Sequence, residues 1–156
     1  MKRLLFILLA VAAAACGKEN TTPEIPDTDK PNEVPAVNLT EKIVGEWHSQ
    51  SLAADADIYI SFAEDKTFEL YQQIGEGSYR LYRGTWSLDE KTCILSGKYN
   101  DGEAWGTSYA AAIEGNTLTL TSTDAAAEKS TYKSEEIPET VKSSCITVVK
   151  SAEAGF

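Results

Sequence analysis

From Ile58 onward the chain alternates apolar and polar residues with a period of two, and turn signals interrupt it at short intervals; no other feature limits its fold so sharply. Ile58, Ile60 and Phe62 alternate with Tyr59, Ser61 and Ala63, and after Glu64-Asp65-Lys66 the pattern resumes with Phe68, Leu70 and Gln72 against Thr67, Glu69 and Tyr71. Successive strand side chains point to opposite faces, so this stretch reads as a hairpin with one oily face. Further turns follow at GEG (75–77), DEK (89–91), NDG (100–102), EGN (114–116) and DAAA (from Asp124). The segments between them, 78–88, 92–99, 105–113, 117–123 and 128–133, join the hairpin and 43–52 to give about eight short strands.

Turns this tight leave no room for the longer Greek-key connections of an immunoglobulin-like sandwich. They favour an all-β, up-and-down antiparallel meander that closes as a roughly eight-stranded barrel, and closure removes the sheet edges an open meander would expose. At the C-terminal end, SEEIPETVKSS (134–144) has Pro138 near a helix start, Glu135, Glu136 and Glu139 around its first turn and Lys142 in its last. That order suits the helix dipole and predicts a short helix, after which CITVV (145–149) reads as a short closing strand.

The first residues belong to a different regime. Lys2 and Arg3 precede an apolar run from Leu4 to Ala15, which is well short of the roughly 20 residues a bilayer-spanning helix needs. Residues 1–15 therefore read as an export signal. The run ends in AAAAC, which resembles the bacterial lipobox: small residues before a cysteine that is acylated and becomes the first residue of the mature chain. Ala13 stands where that family usually has Leu, and Ala13 with Ala15 also satisfies an ordinary A-x-A cleavage site, which leaves plain secretion as the alternative. The lipobox resemblance implies lipid on Cys16 and a bacterial cell-envelope location, with two or more acyl chains supplying the attachment that one chain cannot.

Four of the five prolines, Pro23, Pro26, Pro31 and Pro35, fall in the polar stretch after Cys16. Residues 16–40 thus read as a lipidated cysteine on a disordered tether, with a reach of roughly 70 Å when stretched. The folded domain is expected over 41–156. A net charge of −10 lacks the clustered cations that phosphate backbones or anionic headgroups require, so nucleic acid is not an expected partner.

Four stretches of the folded part resemble, in family order, the lipocalin-like domains of bacterial lipoproteins. Gly45-Glu46-Trp47 is similar to the G-x-W opening of lipocalins. Residues 62–68 (FAEDKTF) resemble F-x-x-D-G-T-F, residues 84–89 (GTWSLD) resemble G-T-W-S-x-D, and residues 115–121 (GNTLTLT) match the family's strand. The resemblance implies a barrel with an open mouth in which Trp47 plugs the closed end. Lys66 occupies the position of a family glycine, which bears on the turn and not on the fold.

Trp47 and Trp86 read as structural core. Trp105, just after a turn, is nearer a barrel end, and with Tyr99 and Tyr109 is a candidate for a half-wet ligand pocket. Tyr59, Tyr71 and Tyr82 read as ordinary strand residues on an exposed face. Arg83 is a candidate ligand contact if it points inward, where a buried cation would need an anionic partner; outward and solvated is the reading its residue type favours.

His48, the single histidine, has no cysteine or second histidine beside it, so no metal ligand set is expected. Asp55 with Asp57, and Asp101 with Glu103, sit beside turns, where Asp serves local hydrogen bonds more readily than the six oxygens of a Ca²⁺ site. Cys93 and Cys145 either pair in an oxidising compartment, as the C-terminal tether common in lipocalins also suggests, or stay separate with Cys93 packed as a small hydrophobe.

No nucleophile elbow, phosphate loop or His-Cys spacing appears, so no enzyme and no cofactor are expected. Two functions follow. One is a lipid-anchored barrel whose mouth binds a small hydrophobic or amphipathic ligand; the other is a solid barrel that docks a protein of the cell envelope.

Overall fold

The computed structural model describes residues 38–50 and 55–149. The expected signal segment, Cys16 and nearly all of the tether lie outside the described residues. The described residues open with a helix that the strand pattern did not anticipate. Helix α1 (Leu39–Ile43) is capped by Asn38, whose side-chain oxygen accepts from Thr40 N at 3.0 Å.

Eight antiparallel strands follow: β1 (Gly45–Ser49), β2 (Ala56–Phe62), β3 (Thr67–Ile74), β4 (Arg80–Asp89), β5 (Ile94–Tyr99), β6 (Tyr109–Glu114), β7 (Thr117–Ser122) and β8 (Lys129–Ser134). Sequential neighbours pair, β8 returns to β1, and the ring is complete. A second helix, α2 (Glu139–Ser144), leads to the two-residue strand β9 (Ile146–Thr147), which lies parallel to the start of β4. The expected all-β, lipocalin-like barrel with a short C-terminal helix is therefore the fold.

Register explains the core. Trp47 faces Ile60, Ile60 faces Leu70, and Leu70 faces Tyr82, so one row of large inward side chains crosses four strands. A second row runs Gly45, Phe62, Phe68, Gly84, Tyr99. Nearer the other end the inward residues turn polar: Ser49 opposes Tyr132, and Gln72 lies between Ile58 and Arg80.

The lower end is closed. Trp47 Nε1 donates to the carbonyl of Ile43 at 2.8 Å, and Glu90 in the β4–β5 turn accepts from Leu39 N at 3.2 Å and Thr40 N at 2.7 Å. Helix α1 is thus pinned across the barrel floor with Ile43 wholly buried beneath it. Trp86 Nε1 donates to Thr67 O at 3.0 Å, and Lys66 lies 4.0 Å over the Trp86 ring. Lys66 itself adopts φ 68, the left-handed conformation that the family's glycine would take without strain.

The outer wall carries a second apolar cluster. Tyr59, Tyr71 and Leu81 point outward from adjacent strands, and Ile137 and Val141 cover them. This corrects the reading of Tyr59, Tyr71 and Tyr82 as exposed. The first two are buried under α2, and Tyr82 faces the interior at 1% exposure. Glu46 secures the strap, accepting from Ile137 N at 2.6 Å and pairing with Lys142 Nζ at 3.1 Å.

Among the described residues Cys93 and Cys145 are both free thiols, so the pairing of one with the other is corrected. Cys93 follows the Asp89 end of β4, whereas Cys145 precedes Ile146, which pairs with Arg80 at the opposite end. Nine residues of strand separate the two levels, roughly 30 Å at about 3.3 Å per residue, far beyond disulfide reach.

Candidate functional site

Opposite the α1 floor, the barrel opens between the β3–β4 turn and β9. The depression there has a volume of about 610 Å³ and is lined by Gln72, Ile74, Glu76, Arg80, Ile146 and Val148, with the backbone of Gly77 and Ser78 at its edge. Alternation places it: the even residues of β3 and β4 face inward, so Gln72, Ile74 and Arg80 continue the core rows up to the rim. Gln72 is buried, whereas Ile74 is 70% exposed and Ile146 60% exposed. The opening thus has a polar floor, aliphatic walls, the cation of Arg80 and the carboxylate of Glu76, a composition suited to an amphipathic molecule, and its volume is within the usual range for small-molecule sites. Ile74 and Ile146 are aliphatic surface left in water, which gives a ligand apolar area to cover.

The residues expected to contact ligand are distributed otherwise. Tyr99, Trp105 and Tyr109 belong to the barrel core and do not line this opening. Phe68 meets Tyr99 and Trp105 edge-on, with ring centroids 5.8 and 5.1 Å apart. Burial pushes the Tyr109 phenol up to about 12, and does the same in direction for Tyr99 and Tyr132, so these groups are neutral core. Trp105 is on the β5–β6 loop and not on the strand expected for it, because β6 begins only at Tyr109.

Arg83 points outward. Its Nε pairs with Glu69 Oε1 at 2.7 Å, beside a smaller outer depression of about 310 Å³. Burial alone would raise the Glu69 carboxyl, but hydrogen bonds from Tyr71 and Arg83 outweigh it and hold the group below its usual range. Trp47 and Trp86 are core, as read from the sequence.

Two further placements concern ionisable groups. His48 faces out, with Nε2 2.7 Å from Asp57 Oδ1 and Nδ1 3.0 Å from Glu135 Oε2, and its ring stacks on Tyr59 at 4.1 Å. Tyr79 donates to the other oxygen of Asp57. Asp101 accepts from Glu103 N at 3.1 Å, a local turn bond. Among the described residues, no group of three or more His, Cys, Asp or Glu is arranged to hold a metal ion.

Sequence reasoning missed Gln72, Ile74, Arg80, Ile146 and Val148. One signal was available: Gln72 breaks the oily face of its hairpin, and an inward polar residue near a strand end marks a mouth. The contribution of β9 left no such mark, since its parallel pairing with β4 depends on tertiary placement.

A closed antiparallel meander, floored by a short helix and a tryptophan and open at its other end, defines a lipocalin-type β-barrel. The lipocalin-like domain model matches residues 43–120, and the chain belongs to that family. No curated protein matches it.

Proposed function

We propose that this protein binds a small amphipathic molecule at the open end of its barrel and that lipid on Cys16 holds it at a bacterial cell envelope. The observation that carries the binding reading is the rim depression, where Ile74 and Ile146 stand exposed above the buried amide of Gln72. A ligand lying there would cover both isoleucines with its apolar body and offer a polar group to Gln72 and Arg80. Native mass spectrometry of protein purified from its own cells tests the reading. A small molecule should co-purify with the wild type and be absent from the Ile74→Asp/Ile146→Asp variant; equal retention by both, or no adduct on either, refutes it.

The anchor has a separate test. In detergent phase partitioning the wild type should enter the detergent phase and Cys16→Ser the aqueous phase; the same distribution for both rules the lipid out.

A second reading, an envelope interaction module without enzymatic activity, draws support from the interior itself. Seventeen buried side chains among the described residues form the main core cluster, and the exposed Ile74 and Ile146 at the rim offer an apolar patch for a protein partner. In that case the rim variant loses a cross-linked partner while no small molecule is found on the wild type.

A further inference from the structure

The β5–β6 connection is unlike the other turns. It spans residues 100–108, and the strands it joins share only two pairs, Ile94 with Ala110 and Leu95 with Tyr109. Beyond Leu95 the edge of β5 is covered by the loop: Trp105 N donates to Gly97 O at 3.0 Å, Tyr99 N donates to Glu103 O at 2.8 Å, and Lys98 bridges to Ala104. Asn100 to Ala104 and Gly106 are all exposed, whereas Trp105 between them is 6% exposed.

Its indole therefore passes inward through the seam that β6 leaves unpaired. It meets Phe68 at 5.1 Å and Tyr109 at 6.2 Å, both edge-on. Gly97 makes room: a Cβ there would sit 2.4 Å from an indole carbon. At this level the barrel is solid because a loop, not a strand, has inserted a ring.

We propose that Trp105 is a displaceable stopper, and that swinging the 100–108 loop outward opens an interior slot for a neutral, planar aromatic ligand of one or two rings. The slot has the shape of the indole it holds. Its walls are the rings of Phe68 and Tyr109 and the bare backbone of Gly97, surfaces that recognise a flat π-system by edge contacts and offer no charge partner. The swing pivots on the loop's two ends, where Asn100 N donates to Arg83 O and Thr123 N donates to Ser108 O, each at 2.9 Å; between them the clasp onto β5 is what has to break. This site is separate from the rim depression and does not depend on that site being occupied.

Indole itself is the probe. The wild type should bind it weakly, since the stopper must first leave, and Trp105→Ala should bind it at least tenfold more tightly. In the wild type, saturating indole should accelerate amide exchange at Tyr99 and Trp105, whose N–H groups clasp the loop, and leave Ile60 and Leu70 protected. Circular dichroism checks the fold of Trp105→Ala, and Trp105→Leu replaces it if it is unfolded, with the same direction expected. Equal affinity in the wild type and the variant, or exchange unaltered by indole, overturns the proposal. Adding Ile74→Asp/Ile146→Asp to Trp105→Ala should leave indole affinity unchanged, so failure at the rim and failure at the slot read out separately.

Discussion

Replacing Gly84 by alanine should be among the most damaging single-methyl additions this domain can receive. Gly84 lies on β4 between Phe68 and Tyr99 in the second inward row. A Cβ there would stand 1.9 Å from the carbonyl oxygen of Lys98 and 2.7 Å from Phe68 Cε1. The phenyl ring can rotate away, but the carbonyl belongs to the neighbouring strand, so β4 and β5 must part by about 1.5 Å to restore ordinary contact. Overpacking of this kind costs roughly 1–3 kcal/mol. Weakening the two flanking ladder pairs adds about 0.5–1.5 kcal/mol per hydrogen bond lost. The expected destabilisation is about 2–6 kcal/mol, a large share of the 5–15 kcal/mol typical of a domain.

Urea unfolding followed by tryptophan fluorescence measures the change as a lower midpoint at unchanged slope. Gly106→Ala is the control, since a Cβ there meets nothing within 4 Å, and it should remain within about 0.5 kcal/mol of the wild type. Relieving the ring with Phe68→Leu should not rescue Gly84→Ala, because the obstruction is backbone. A Gly84→Ala protein within about 1 kcal/mol of the wild type would show that the register assigned to β4 and β5 is wrong.

Three further outcomes follow from single side chains. Burial opposes charging of His48, yet its hydrogen bonds to Glu135 and Asp57 outweigh that and raise its pKa above the ordinary 6.5. The stabilisation it gives is therefore present below pH 6.5 and lost as pH rises through the higher folded value, so melting temperature should fall as pH rises above 6.5 in the wild type but not in His48→Gln; parallel profiles would refute this. Cys93 holds φ 56 in the β4–β5 turn, so Cys93→Gly should gain about 1 kcal/mol in urea unfolding, and a loss would mean its side chain packs favourably. Tyr82 Oη is buried with no hydrogen-bond partner among the described residues, so Tyr82→Phe should leave stability unchanged or raise it by about 1 kcal/mol in the same assay; a loss above that would indicate a buried water on the hydroxyl.

The barrel was legible because its information is local. Alternation around Ile58–Phe62 and Phe68–Gln72 gives the inward faces, and turn residues at each break give the connectivity, so neighbouring strands pair in sequence order. Trp47 and Trp86 were readable for the same reason, since each lies within a motif whose neighbours fix its side of the strand. Arg83 was readable in part: the alternation of its strand is ambiguous, but an arginine is rarely buried unpaired, and it does lie on the outer face, where it pairs with Glu69. The tyrosines were misread because burial of an outward residue depends on what packs on it from elsewhere. Nothing near Tyr59 or Tyr71 announces that Ile137 and Val141 will cover them. Trp105 was misplaced because a buried loop residue and a strand residue look alike in an apolar pattern.

The two candidate sites share one geometric origin. β5 begins to pair with β4 only at Gly84, where it opposes Tyr99, so the first residues of β4 have an open edge on that side. β9 closes it, with Ile146 N donating to Tyr79 O at 2.7 Å and Val148 N to Leu81 O at 2.9 Å. β6 in turn leaves β5 after Leu95, and the 100–108 loop closes that second edge. Unpaired edges in an all-β protein invite association with other strands, and covering them with short segments removes the hazard. A short cover lacks the neighbours on both sides that hold a central strand, so it is the part of the wall that opens at least cost. The first cover brings Ile146 and Val148 to the rim depression, and the second inserts Trp105. Binding is therefore expected where the ring of main-chain pairing is patched, and the continuous wall from β6 through β8 and β1 to β3 should stay protected from exchange whether or not a ligand is present.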